Sequence, residues 1–177
     1  MLTPAPSPGK TVVLGVGNLL LSDEGVGVQV IERLQERYAL PEEVEVVDGG
    51  TLGLDLLYYL EGARRLLIID AVETDGPPGA LIRLENDAVP AFLALKMSPH
   101  QMGVPDMLFA ARLRDLYPET IVLWGVQPGS LDIGLDLSPP VAAQVDGLVE
   151  RVCEELARWG APAQRLKPAP LRVEFGV

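Results

Sequence analysis

The 177-residue chain holds one cysteine and one histidine. A single cysteine excludes an intramolecular disulfide and suits a reducing compartment. Basic residues are scarce: 14 Lys and Arg stand against 25 Asp and Glu, giving a formal net charge of −11 and a pI near 4.5. No basic stripe exists to neutralise the phosphates of a nucleic acid. The same deficit argues against docking on an anionic membrane. No apolar run approaches the roughly 18 residues that a spanning helix needs. The proline-rich start, MLTPAPSPGK, lacks a hydrophobic core and is not read as a signal peptide, so a cytoplasmic protein is expected. No serine stands in a Gly-x-Ser-x-Gly elbow, which leaves a serine hydrolase without support. A His-Glu-x-x-His pair, an internal repeat and a domain boundary are all missing too.

What remains is 48% hydrophobic, with a mean hydropathy of +0.23. At this length those values fit one well-buried domain. An apolar run, Val12–Val16, ends in Gly15-x-Gly17-Asn18. A helix is expected from about Asp23 to Tyr38, with Gly27, Val30, Ile31, Leu34 and Tyr38 on its apolar face. A second strand, Val44–Val47, ends in Asp48-Gly49-Gly50-Thr51. A helix over Leu52–Leu60 turns Leu56, Leu57 and Leu60 inward, and a third, central strand, Leu66–Ile69, ends in Asp70.

Farther on, Ala80–Leu84 reads as an antiparallel edge strand, and 85–99 as a long loop with at most a turn of helix. Val104–Leu113 reads as a helix and Ile121–Val126 as the last strand. Ser138 caps a helix that opens on Pro139 and Pro140. The closing helix places Val145, Leu148, Val149, Val152, Leu156 and Trp159 on one face and ends at Gly160. Residues 1–10 and 161–177 read as flexible proline-rich ends. The expected fold is therefore α/β: a single three-layer domain, folded over about 11–160, whose twisted, mostly parallel sheet of about five strands carries helices on both faces.

The glycine turn after the first strand invites a phosphate-cradle reading, a Rossmann-like nucleotide site. Against it, no third glycine follows at the fingerprint spacing, no Lys-Ser/Thr closes a phosphate loop, and the helix mouth already carries Asp23 and Glu24. A cation site fits those acids better. Glu24, Asp48 and Asp70 follow the carboxyl ends of successive strands, where open α/β sheets bind their ligands.

Each of these residues has a plainer reading beside the functional one. Glu24 is either a first-turn acid complementing the helix dipole or a cleft ligand with Asp23 taking the dipole role. Asp48 is either a turn former with Gly49 and Gly50 or part of the site. Asp70, at the end of a central strand, is partly buried and needs a partner. His100, in Ser98-Pro99-His100-Gln101, is either structural or a metal ligand whose charged form is disfavoured at a helix start. Two carboxylates and one imidazole leave an incomplete sphere that nickel, zinc or cadmium could fill. Cys153 reads as core filler on the last helix, and Met97, Met102 and Met107 as packing.

The segments Gly15-Val-Gly-Asn-Leu-Leu-Leu-Ser-Asp-Glu24-Gly-Val-Gly27, Asp48-Gly-Gly-Thr51, Asp70-Ala71, Ser98-Pro-His-Gln101 and Leu137-Ser-Pro139 occur in this order. Together they resemble the hydrogenase maturation proteases, over about Thr11 to Trp159. That resemblance implies an endopeptidase that trims the C-terminal extension from the nickel–iron hydrogenase large-subunit precursor. It implies that Glu24, Asp70 and His100 form the catalytic, metal-binding set, and that Asp48, Gly49 and Gly50 belong to the segment linked to substrate recognition. It also implies that the nickel arrives seated in the precursor, and that the fold is one α/β domain. A monomer that engages its large partner transiently is expected. A non-catalytic nickel-binding escort for hydrogenase assembly would use the same three residues and stands as the alternative.

Overall fold

A computed structural model describes residues 9–95 and 103–167. Strands β1 (Lys10–Val16), β3 (Val44–Gly50), β4 (Ala63–Ala71), β5 (Leu81–Glu85) and β6 (Thr120–Val126) form one sheet in the order β3-β1-β4-β6-β5. Four strands are parallel, and β5 pairs antiparallel with β6 at one edge. The expected central strand is indeed central, buried from Leu66 to Ile69.

Alternating side chains along each strand supply two separate cores. Val12, Leu14, Leu66, Ile68, Ile121 and Leu123 face one layer. Over them lie α2 (Leu57–Leu60), α3 (Ala88–Leu95) and α4 (Val104–Leu113). On the opposite face, Val13, Leu67, Ile69 and Val122 meet α1 (Val26–Arg37), α5 (Pro139–Ala142) and α6 (Val145–Arg158). The three-layer single domain expected from the sequence is the observed one.

After β1 the chain turns into α1 on one face and returns as the edge strand β3. After β4 it continues toward β5 and β6 on the other side. The carboxyl ends of β1 and β4, adjacent in the sheet, therefore flank the point where the connections diverge, the usual position of a binding crevice. Helix α1 crosses that point at close range. A Cβ on Gly27 would lie 2.2 Å from the Ile69 carbonyl oxygen and 2.4 Å from that of Val16.

Several local expectations are corrected. The first helix is split: a 3-10 turn over Ser22–Gly25 precedes α1, and Tyr38 leaves the helix for β2 (Tyr38–Ala39). The segment 52–60 is likewise a 3-10 turn, Gly53–Leu56, followed by the single helical turn α2. The stretch read as a loop contains α3, which buries Val89 and Leu93, four residues apart, against the sheet. Residues 161–167, read as part of a flexible end, belong to the fold: Ala161 is fully buried and β7 (Gln164–Arg165) pairs antiparallel with β2, while Lys10 opens β1; 1–8 and 168–177 lie outside the described residues. No helix among the described residues is long and apolar enough to cross a membrane.

Candidate active site

The strand ends open into a cavity of about 540 Å³, whose walls include Gly17, Glu24, Gly50, Asp70 and Phe92. Glu24 and Asp70 face it together, one from the 3-10 turn after β1, the other from the end of β4. Glu24 arrives there because Gly17 makes room for it. Gly17 has φ +130°, and a Cβ at that position would sit 1.6 Å from the Glu24 carbonyl oxygen. The Gly17 N–H donates to the Gly50 carbonyl at 3.0 Å, tying the turn to β3. The glycine turn thus accommodates the Glu24 backbone, a use that differs from cradling a phosphate. A Gly17→Ala variant should fold with the Ser22–Gly25 turn displaced and lose most of whatever activity this cavity supports, as a rate assay on purified protein would show. Activity within twofold of the parent, about 0.4 kcal/mol, would contradict this placement.

The two carboxyls sit in an environment hostile to two negative charges. Burial pushes the Asp70 carboxyl up to about 7. A backbone hydrogen bond from Ala71 opposes that shift, and the Glu24 charge adds to it. Burial raises Glu24 as well, and its buried Oε2 has no hydrogen-bond partner among the described residues. No Lys or Arg stands among the described cavity walls. Such a pair holds a proton near neutrality or accepts a cation in its place.

The other expected site residues fall as follows. His100 lies outside the described residues, and Gly103, Val104 and Pro105, just beyond it, form part of the cavity wall. Among the described residues no group of three or more His, Cys, Asp or Glu could hold a metal, so Glu24 and Asp70 supply two candidate ligands. Asp48, Gly49 and Gly50 belong to β3 rather than to a loop after it. Asp48 is exposed, and its Oδ1 accepts the Gly50 N–H at 2.9 Å. Gly49 is buried against Leu14, and Gly50, at φ +39°, lines the cavity.

Sequence reasoning missed the part played by Asp23. It is 0% exposed and does more than complement the helix dipole. Its Oδ2 accepts N–H bonds from Gly129 (2.7 Å) and Ser130 (2.9 Å) and the Ser138 hydroxyl (2.7 Å), while Oδ1 accepts the Ser138 N–H (2.6 Å). Ser138 occupies the N-cap position of α5, yet its hydroxyl serves Asp23 in place of capping the helix. In a 3-10 turn neighbouring side chains point about 120° apart. Adjacent acids therefore take opposite tasks: Asp23 anchors the loop after β6, and Glu24 faces the cavity. The adjacency of two acids in a turn was the one signal available.

Residues 28–155 match the family model described as hydrogenase maturation protease (HycI). The Hydrogenase 2 maturation protease of Escherichia coli K12 is 41% identical over 155 residues, 87% of this chain and 94% of that protein. The hydrogenase expression/formation protein HupD of Rhodobacter capsulatus is 45% identical over 159 residues, covering 89% of this chain and 76% of that protein. Among solved structures, the hydrogenase maturating endopeptidase HybD from E. coli matches with a TM-score of 0.83 at 40% identity, over 88% of this chain and 97% of that one. The [NiFe] hydrogenase maturation protease HybD from Thermococcus kodakarensis matches with a TM-score of 0.69 at 30% identity, over 84% and 99%. Likeness to named proteases over this length sets aside the nucleotide-binding and escort alternatives. A parallel sheet with two carboxyls converging at its switch point, together with these matches, places the chain in the hydrogenase maturation protease family, as a peptidase.

Proposed function

We propose that this peptidase removes the C-terminal extension of a nickel–iron hydrogenase large-subunit precursor after nickel insertion, and that it recognises the nickel itself. The observation that carries this reading is the uncompensated charge of Glu24 and Asp70 at one cavity, which has no Lys or Arg among its described walls. A cation brought by the substrate would discharge that pair. In this reading Glu24, Asp70 and His100 complete the coordination of the precursor's nickel, and zinc or cadmium could stand in for it in vitro. Docking the metal aligns the scissile peptide against the strand ends. A water polarised at this site would attack the scissile carbonyl, and the peptide C–N bond would break as the leaving amine takes up a proton. Asp48, Gly49 and Gly50 would contribute to recognition of the substrate, with Gly50 at the cavity wall.

Dependence on nickel gives a check on assembly, because a precursor without the metal lacks the contact that orients the peptide. The chain would act as a monomer in the cytoplasm, consistent with its single cysteine.

The test is direct. Purified protein is mixed with nickel-loaded and with nickel-free precursor, and intact mass reports loss of the extension. Cleavage of the loaded form alone is expected. Equal cleavage of both would overturn nickel recognition, and cleavage of neither would overturn the substrate. In the same assay His100→Ala should abolish processing while its circular dichroism and melting match the parent. Full cleavage by that variant would remove His100 from the mechanism.

A further inference from the structure

The segments after β1 and after β6 present apolar side chains to water beside the cavity. Ile133 is 92% exposed, Leu135 68% and Leu20 62%. They are neighbours through the backbone: the Gly134 N–H donates to the Leu20 carbonyl at 3.0 Å, and the Ser22 N–H donates to the Gly134 carbonyl at 2.9 Å. The patch is continuous with the site, because Leu21, bridged to Gly134, and Leu131 both line the cavity. Contiguous exposed apolar residues of this kind mark a surface meant to be covered.

Two further features say what covers it. The patch is tied to the body of the protein by the Asp23 hydrogen bonds to Gly129, Ser130 and Ser138, and by the Ser22 hydroxyl donating to the Asp132 carbonyl at 3.0 Å. Ser22 is held at φ +48° in that arrangement. A loop that burial of a carboxylate fixes in place is preorganised, which lowers the entropy lost on binding. Its charges are of one sign: Asp132 and Asp136 are exposed beside the leucines, and no Lys or Arg occurs between Arg114 and Arg151. The complementary surface is apolar at its centre and basic at its edge.

Resting on the function proposed above, we propose that Leu20, Ile133 and Leu135 form a docking lip for the folded body of the protein substrate. An apolar, basic-rimmed surface of the hydrogenase precursor, remote from the scissile bond, seats on this lip and feeds the extension into the adjoining cavity. The lip sets how tightly the precursor is held, while the groups in the cavity set the rate of cutting.

The experiment compares wild type with the double variant Ile133→Ser, Leu135→Ser by steady-state cleavage of nickel-loaded, full-length precursor. Both side chains are exposed, so retained kcat at saturating precursor shows that the variant folds. The expected result is a KM raised at least about tenfold with kcat within about twofold. An unchanged KM overturns the lip, as does a lower kcat with unchanged KM. Sedimentation of the wild type covers the other occupants. A dimer that the double variant dissolves, with no change in KM, assigns the patch to a second copy of the chain. A KM lowered by truncation after Lys167 assigns it to the chain's own C-terminal segment. Both results overturn the proposal. A precursor that wild type leaves uncut overturns the substrate assignment as well, whereas cleavage with unaltered KM overturns the lip alone.

Discussion

Glu24→Gln and Asp70→Asn should each lower kcat/KM for nickel-loaded precursor by at least about a hundredfold, with no loss of thermal stability. The two halves of this expectation share a cause. Each substitution keeps the side chain's shape while removing the negative charge that would meet the cation. Burial disfavours that charge, raising both carboxyls and Asp70 to about 7. The folded state holds a proton on Asp70 more tightly than the unfolded chain does. Its stabilising effect is therefore complete below the ordinary carboxyl range and lost as pH rises through about 7. At or above neutrality a neutral amide at position 70 relieves the cost of the buried charge. Parallel melting and cleavage assays check this, and Asp70→Asn should melt at or above the wild-type temperature while failing to cut. Such opposition between stability and activity is what a site strained for function shows. A variant that melts early and cuts normally would mean that Asp70 is a structural acid.

Asp23→Ala should be the most destabilising single change near the site. It removes four acceptor contacts and leaves the N–H groups of Gly129, Ser130 and Ser138 without their partner. Each orphaned donor costs about 1–3 kcal/mol when water cannot replace the acceptor. Because the loop is only partly buried, a total near the lower end, about 3 kcal/mol, is expected. Burial alone would raise the Asp23 carboxyl. The hydrogen bonds from Ser138, Ser130 and Gly129 outweigh burial and hold it below the ordinary value. A lowered carboxyl contributes stability that is present above the unfolded value near 3.9 and lost as pH falls through the folded one. Urea denaturation should therefore show the gap between wild type and Asp23→Ala wide at neutral pH and narrowed in acid. A gap that does not change with pH would mean that the carboxylate charge contributes nothing there.

Much of this molecule was legible because its pattern is local. Val104–Leu113 begins and ends as its sequence suggests, and the all-apolar run Leu66–Ile69 reveals a strand buried on both faces. The strand ends also located Glu24 and Asp70 at one edge of the sheet, where they share a cavity. What was illegible depends on contacts across the chain. Helix α3 is signalled only by Val89 and Leu93, whose spacing gains meaning once a sheet lies beneath them. Gln164 and Arg165 are exposed and form a strand solely because Tyr38 and Ala39 offer an unpaired edge. Asp23 and Glu24 look alike in sequence, and their roles diverge only after the Ser22–Gly25 turn points one inward and the other to the cavity.

In the function proposed above, Glu24, Asp70 and His100 meet on one metal ion at the mouth of the sheet. Crystals grown with a divalent metal test it most directly, by anomalous density at that metal's absorption edge. A single ion bonded to all three side chains within the cavity is expected. An ion bound elsewhere, or density that leaves Glu24 and Asp70 facing the cavity with the imidazole turned away, would contradict it.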